Sequence, residues 1–278
     1  MLKDNINKKY TYGIAIGNSL SLWKPYLFGG SIEEGIKKAK CWGYEAVELH
    51  NISDPKETDP GKILNELKNS NMEVSGISTG PAYYNFKLSL TDGSNKIRKK
   101  AVERLKEYVD LASIIGGFIT IGTMRGNIPD LESLNIYKSR LSETLKEVSL
   151  YAAEKEATLL IEVANRYEIN YLNRVDEIFD FITSSDIPMT KIHMDTFHMN
   201  IEEISICKAI TKYKDFLGYF HIADSNRMYP GGGHIDFMKI KDAFLNINYK
   251  GFIVLECLPI PDGQTAAQNA LSYIKNIF

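Results

Sequence analysis

The fold is decided by a stretch of sequence that begins with Leu159-Leu160-Ile161-Glu162-Val163 and ends with Ile253-Val254-Leu255-Glu256-Cys257. Between them lie two similar runs, Ile192-His193-Met194-Asp195-Thr196 and Tyr219-Phe220-His221-Ile222-Ala223. Each run is mostly apolar and closes on an acid or a histidine, as expected of a buried strand whose end reaches a functional edge. A buried charge is costly unless it is paired. Four such strand ends in succession therefore predict one shared site.

Strand-like and helix-like segments alternate on both sides of this stretch. We predict strands at 11–18, 46–50, 73–79, 118–122, 158–163, around 192, 217–223 and 252–258. We predict helices at 31–42, 60–70, 96–115, 131–155, 176–184, 203–213, 237–245 and 265–277. Eight β/α units of about 30 residues indicate parallel strands with right-handed crossovers, as in a closed (β/α)₈ TIM barrel.

The rival fold is an open, doubly wound sheet. No Gly-x-Gly-x-x-Gly fingerprint follows the first strand, and the candidate functional residues lie at the ends of consecutive strands, as in barrels. No linker or low-complexity segment divides the chain. We therefore predict a single α/β barrel domain over residues 1–278.

Composition excludes several classes of function. The formal net charge is -2 with acidic and basic residues interspersed, so neither a nucleic acid nor an anionic membrane is expected as a partner. No segment is apolar enough to span a bilayer, and the N-terminus lacks the apolar part of a signal peptide. Three cysteines, widely spaced in apolar surroundings, favour reduced thiols and a cytoplasmic protein.

The strand-end residues Glu162, Asp195, His221 and Glu256 are typical ligands of a divalent cation. Any one of them alone would more often be a helix cap, a salt-bridge partner or a core histidine. Three carboxylates and one imidazole together favour Mn²⁺, with Mg²⁺ and Co²⁺ as further candidates. Zn²⁺ ranks lower, because cysteine or a second histidine is missing from this set.

Further polar residues follow these strands. Glu168, His198 and Arg227 are candidates for substrate contacts, although Glu168 and Arg227 could form a loop salt bridge and His198 could cap a helix. Arg125, after the fourth strand, could bind the carboxylate of a keto acid or be an ordinary loop arginine.

Three loops have compositions that suggest a function. The glycine-rich loop at 229–237 lacks the ending of a phosphate-binding loop, so we predict a mobile rim in which Asp236 caps the next helix. Aromatic side chains crowd the loops after the first and third strands, where they could wall a sugar pocket, pack against the loops or form a subunit contact; they are Trp23, Tyr26, Phe28, Tyr83, Tyr84 and Phe86.

The sequence resembles the xylose isomerase-like barrels and, within them, the ketose 3-epimerases. The sequence segments that carry this resemblance are Ile161 to Glu168, Asp195 to Glu203, His221 to Arg227 and Leu255 to Pro259. Thr79 to Tyr83 and the helix at 97–101 are similar to a branch that acts on keto-hexuronic or keto-gluconic acids. Val163-Ala164 departs from the proline and apolar residue usual there, which puts only the local backbone in doubt.

The resemblance implies a role for each site residue. Glu162, Asp195, His221 and Glu256 would bind the metal, Glu162 and Glu256 would also be the acid/base pair, and the reacting end of the ketose would contact the residues Glu168, His198 and Arg227. It implies a small sugar as substrate and a homo-oligomer, either a dimer or a tetramer.

The chemistry points the same way. A proton next to a ketone is weakly acidic, and a metal ion beside the oxygens stabilises the cis-enediolate formed when the proton leaves. Two glutamates on opposite faces of the sugar could then invert C3. The alternatives are aldose-ketose isomerisation of the hydroxypyruvate type, a zinc endonuclease, and a sugar-binding barrel without catalysis. Five histidines and no basic surface disfavour the endonuclease.

Overall fold

Eight parallel strands close into a barrel in the computed structural model, which describes residues 10–17 and 24–278. The first strand pairs with the last, which closes the sheet. This closed barrel confirms the predicted TIM fold and excludes the open sheet. The strands are β1 (Thr11–Ile16), β2 (Ala46–Leu49), β3 (Glu73–Ser78), β4 (Phe118–Ile121), β5 (Leu159–Glu162), β6 (Thr190–Asp195), β7 (Leu217–Ile222) and β8 (Phe252–Leu255). The predicted strand end at Asn18 and the aromatic Trp23 lie outside the described residues.

The helices surround the barrel. Within the described part of the chain they are α1 (Ile32–Cys41), α2 (Pro60–Ser70), α3 (Gly80–Phe86), α4 (Asn95–Ile115), α5 (Leu134–Glu154), α6 (Val175–Ser185), α7 (Thr196–Glu202), α8 (Ile206–Lys212), α9 (Phe237–Ile247) and α10 (Gly263–Ile277). None of these helices is long and apolar enough to cross a membrane. The prediction of eight helices in strict alternation is wrong, because α3 and α7 are additional.

The extra helix α7 arises from a local signal. The Asp195 side chain accepts a hydrogen bond from the His198 backbone N–H at 3.0 Å, so it caps α7 directly at the end of β6. The helix predicted from Glu203 begins only at Ile206, after the cap Ser205. The helix predicted from Leu131 begins with a 3₁₀ turn, and the α-helical part starts at Leu134.

Side chains cap two further helices, and the cap at Asp236 confirms the prediction. Ser31 and Glu34 form a reciprocal capping box at the start of α1. Asp236 accepts a hydrogen bond from the Lys239 N–H and caps α9. Caps of this kind contribute about 1 kcal/mol each.

The interior of the barrel is closed at the bottom by a small apolar cluster. Leu160, Tyr219 and Val254 form it, with Phe118 and Phe252 packed against them. Above this plug, strand register aligns polar side chains: Glu162 lies beside His193, and Asp195 lies beside His221. Because side chains two residues apart on a strand point to the same face, His193 and Asp195 both enter the barrel. The fold thus collects polar groups above an apolar floor.

Candidate active site

The four predicted metal ligands lie together at the carboxyl end of the barrel. Glu162 and Asp195 end β5 and β6, His221 is next to last in β7, and Glu256 directly follows β8. Ligand atoms of Glu162, Asp195, His198 and Glu256 all lie within 4.8 Å of one another. The His221 Nδ1 atom is 3.5 Å from Asp195 Oδ2 and 3.8 Å from Glu256 Oε2. Four separate strands therefore converge on one point.

Two atoms of this cluster have no hydrogen-bond partner among the residues that the structure describes. They are Asp195 Oδ2 and His221 Nδ1, both buried. Buried polar atoms are normally paired, and unpaired oxygen and nitrogen atoms that face one another suit a cation between them. Three carboxylates and an imidazole nitrogen fit a divalent ion.

The local charges also favour a cation. Burial and the neighbouring Glu256 raise the pKa of Glu162 well above its ordinary value, because acids crowd one another there. Burial would raise the pKa of Asp195 too, but His198 and His221 outweigh burial and lower it. A bound cation would relieve the repulsion between the acids.

A further carboxylate, which the sequence analysis did not identify, pairs with the ring nitrogen of His221 that is not directed at Asp195 and Glu256. Glu48, in β2, is fully buried and pairs through Oε2 with His221 Nε2. Burial opposes its ionisation, yet His221 and His50 lower the pKa of Glu48 well below its ordinary value. An ionised Glu48 accepts the Nε2–H of His221 and leaves Nδ1 free to bind a metal.

His50 was also missed, although it lines the cavity. Its Nε2 atom is 3.4 Å from Glu48 Oε2 and 3.9 Å from Glu256 Oε1. The available signal was the run Ala46-Val47-Glu48-Leu49-His50, in which polar side chains alternate with apolar ones in a strand. Alternation of this kind places both polar residues inside the barrel.

Arg227 links two acids of the site. Its Nη1 donates to Glu168 Oε1 at 2.6 Å, and its Nη2 donates to Glu256 Oε2 at 3.0 Å. The guanidinium lies over the Phe197 ring at 4.8 Å. Burial lowers its pKa, but Glu256 and Glu168 outweigh burial and raise it, so Arg227 is a permanent cation. The salt bridge foreseen between Arg227 and Glu168 exists, but it lies in the cavity wall.

His198 points into the site from α7. Its Nδ1 accepts hydrogen bonds from the Asn165 backbone N–H at 3.2 Å and, at 2.7 Å, from the Asn165 side-chain amide. The remaining proton must then sit on Nε2, which lies 3.9 Å from Glu162 Oε1. His198 is therefore a hydrogen-bond donor at the cavity and is not the cap of α7.

The proposed carboxylate-binding role of Arg125 is wrong. Arg125 is fully buried, and its guanidinium donates to the backbone carbonyls of Gly122, Leu172 and Glu162 at 3.2, 3.1 and 3.0 Å. Nor is it an ordinary exposed loop arginine. It fastens the loops after β4 and β5 to each other, and it holds the backbone of Glu162.

Gly122 leaves the space that the Glu162 carboxylate occupies. A Cβ atom at position 122 would lie 2.2 Å from Glu162 Oε2, far closer than two atoms can approach. The glycine at the end of β4 thus decides where the acid on β5 can point.

A cavity of about 450 Å³ opens above these residues. Glu162, Glu168, His221, Arg227 and Glu256 line it, together with small polar side chains of the other strand ends. The volume suits a small sugar.

Of the predicted aromatic wall, Tyr26 and Tyr84 line the cavity. Phe28 is buried, Tyr83 packs against the core, and Phe86 is half exposed. The group therefore divides between the pocket and loop packing.

The glycine-rich rim is tied down by Asp224. This buried acid accepts hydrogen bonds from the Gly231 and Ile235 N–H groups at 2.8 and 3.1 Å. Together with the cap at Asp236, it fixes both ends of the loop, so the loop is more constrained than its glycines suggested.

Comparison with known proteins places this site in context. A family model described as "Xylose isomerase-like TIM barrel" matches residues 36–277. An L-ribulose 3-epimerase from Methylomonas sp. (strain DH-1) is 28% identical over 277 residues, which cover 98% of this chain and 92% of the relative. A 3-dehydro-D-guloside 4-epimerase from Escherichia coli (strain K12) is 29% identical over 184 residues, 63% of this chain and 70% of the relative.

A solved structure agrees. The D-allulose 3-epimerase from Methylomonas sp. in complex with D-allulose has a TM-score of 0.80 to this chain at 26% identity, and the match covers 98% of both chains. The resemblance found in the sequence is confirmed: this chain belongs to the xylose isomerase-like TIM barrel family and is a sugar epimerase of the ketose 3-epimerase family, an isomerase acting on carbohydrates.

Proposed function

We propose that this enzyme inverts C3 of a ketose or keto-sugar acid, with Glu162 and Glu256 as its two acid/base groups. The observation that carries the proposal is that both carboxylates reach one cavity from strands on different sides of the barrel mouth. A planar intermediate lying between them can lose a proton to one and regain a proton from the other. Inversion requires this two-sided access.

The surrounding side chains have distinct tasks. Arg227 holds Glu256 and Glu168 in place while its positive charge faces the cavity. The His198 Nε2–H can donate to a substrate oxygen, because Asn165 fixes the other ring nitrogen as an acceptor. Burial and Glu256 raise the pKa of Glu162, which suits a pair that exchanges one proton.

We propose one divalent ion, Mn²⁺ in preference to Mg²⁺, Co²⁺ or Zn²⁺, held by Glu162, Asp195, His221 and Glu256. The unpaired Asp195 Oδ2 and His221 Nδ1 atoms support these ligands. When bound, the ion supplies positive charge beside the substrate oxygens on which negative charge develops. The protein residues supply orientation and proton transfer.

Inversion of C4 beside a C3 ketone is the second candidate. The relationship to a 4-epimerase supports it. The same two glutamates could act on C4 if the sugar were bound one carbon further along the cavity. Aldose-ketose isomerisation is a third outcome, for which the proton returns to the neighbouring carbon on the same face.

The test is incubation with a panel of free ketoses, keto acids and sugar phosphates in heavy water with Mn²⁺. We expect deuterium at C3 together with the C3-inverted product, both measured by NMR. Deuterium at C4 would favour the second candidate, and an aldose product would refute epimerisation. A sample treated with a chelator is the control, and full activity without metal would refute the metal site.

Assembly and location are lesser proposals. We propose a homo-oligomer, a dimer or a tetramer, as the resemblance to the ketose 3-epimerases implies. Light scattering of the purified protein tests this. The three cysteines are free, which fits the reducing cytoplasm. No nucleic acid and no membrane is proposed as a partner.

A further inference from the structure

His193 is a buried histidine for which the proposed reaction has no use. It lies in β6, two residues before Asp195, and it is completely buried. Neither of its ring nitrogens has a hydrogen-bond partner within residues 10–17 and 24–278. Buried polar atoms are nearly always paired. A histidine whose only role is packing could be replaced by an apolar aromatic residue, so the unpaired ring nitrogens indicate a further role.

The surroundings of His193 are those of a ligand. Its ring meets the His221 ring edge-on, with centroids 4.0 Å apart at 89°, and it meets Tyr219 at 4.9 Å and 82°. Strand register places it directly beside Glu162. One ligand atom from each of Glu162, His193 and His221 lies within 4.8 Å of the other two.

We propose that His193 is a further metal ligand, and that with Glu162 and His221 it forms a second, deeper cation position. The donor set of this deeper position contains two imidazoles and one carboxylate. Imidazole favours borderline ions such as Zn²⁺ and Co²⁺, whereas carboxylates favour Mg²⁺ and Mn²⁺. The deeper position therefore selects Zn²⁺ or Co²⁺.

The inference rests on the proposed metal-binding function, because the two positions share Glu162 and His221. From the sequence, Zn²⁺ was a less favoured ion, because the strand-end ligands included neither a cysteine nor a second histidine. The fold supplies one, because β6 brings His193 to the same interior face as Asp195. Metal choice would then depend on which of the two positions an ion occupies.

The first test counts coordinated imidazoles. Cu²⁺ is added to the metal-free protein, and pulsed EPR detects the nitrogen nuclei of the bound histidines. We expect two imidazoles in the wild type and one in His193→Leu. His234→Leu, which removes a rim histidine outside the cluster, should still show two. An equal count in wild type and His193→Leu would overturn the inference.

The second test measures selectivity by calorimetry. We expect His193→Leu to weaken Zn²⁺ binding by about tenfold or more while Mg²⁺ binding changes by less than about threefold. An equal change for both ions, or none for either, would overturn the inference. His193→Asn, a polar and poorly ligating replacement, repeats the test if the leucine variant does not fold.

The two failures are distinguishable. A wild-type protein that binds none of the ions contradicts the proposed function itself. A wild-type protein that binds ions through one imidazole contradicts only the deeper position.

Discussion

The two halves of the barrel mouth differ sharply in charge. Strands β5 to β8, the ligand half, bring acids and imidazole to the cavity: Glu162, Asp195, His221 and Glu256. Strands β1 to β4 with their loops, the support half, line the same cavity mostly with uncharged groups such as Ser78 and Gly122, and with no acid. His50 and Lys24 are the exceptions among the described residues that line it. The candidate metal ligands are thus concentrated in half of a closed ring of eight strands.

The support half nevertheless acts on the ligand half. Glu48 holds the back of His221, Gly122 leaves room for the Glu162 carboxylate, and Arg125 holds the Glu162 carbonyl. The reactive groups come from strands β5 to β8, and residues of strands β1 to β4 and their loops help to set their positions. Substitutions in each half test this division.

The largest effect should come from the ligand half. Glu256→Gln keeps the shape of the side chain but removes a base, so we expect exchange of the C3 proton to fall by about 10³-fold. Deuterium incorporation measured by NMR gives the rate, and metal content measured on the same sample separates loss of the base from loss of the ion. Rapid exchange in a metal-loaded variant would contradict the two-base mechanism.

Arg125→Met tests the contribution of the support half to stability. Three backbone carbonyls lose a charged donor inside the protein, so we expect a loss of about 3 kcal/mol in the free energy of unfolding. Urea titration followed by circular dichroism measures it. Arg174→Met is the control, because its ion pair with Asp176 is partly exposed and should contribute less than about 1 kcal/mol. Equal losses in both variants would remove the special role of Arg125.

Gly122→Ala perturbs the ligand half from the support half without touching a charge. The new methyl group would meet Glu162 Oε2, so the carboxylate must move, and we expect kcat to fall by about 10²-fold with the fold retained. Gly93→Ala is a matched control, because no atom of the described chain lies within 4 Å of a Cβ atom there. Unchanged turnover in Gly122→Ala would mean that the position of Glu162 is not critical.

The sequence predicted the ligand half far better than the support half. Glu162 and Glu256 each close an apolar run, and a charge at a strand end is visible to periodicity. The role of Arg125 was not visible, because its partners are backbone carbonyls distant in the chain. Glu48 was not identified because it lies within a strand, and only closure of the barrel brings this β2 side chain to His221 in β7.

The smallest effect should come from Glu48→Gln, which keeps a hydrogen bond to His221 but no longer determines which partner donates it. An amide can donate as well as accept, so the His221 proton is free to move to Nδ1, the nitrogen proposed to bind the metal. We expect metal affinity, measured by calorimetry, to fall by about tenfold. Glu73→Gln, at the exposed start of β3, should change nothing. If NMR of the ring nitrogens shows an unchanged His221 tautomer and the affinity holds, the buried Glu48 has no influence on the metal ligands across the barrel, and the support half acts on them only through Gly122 and Arg125.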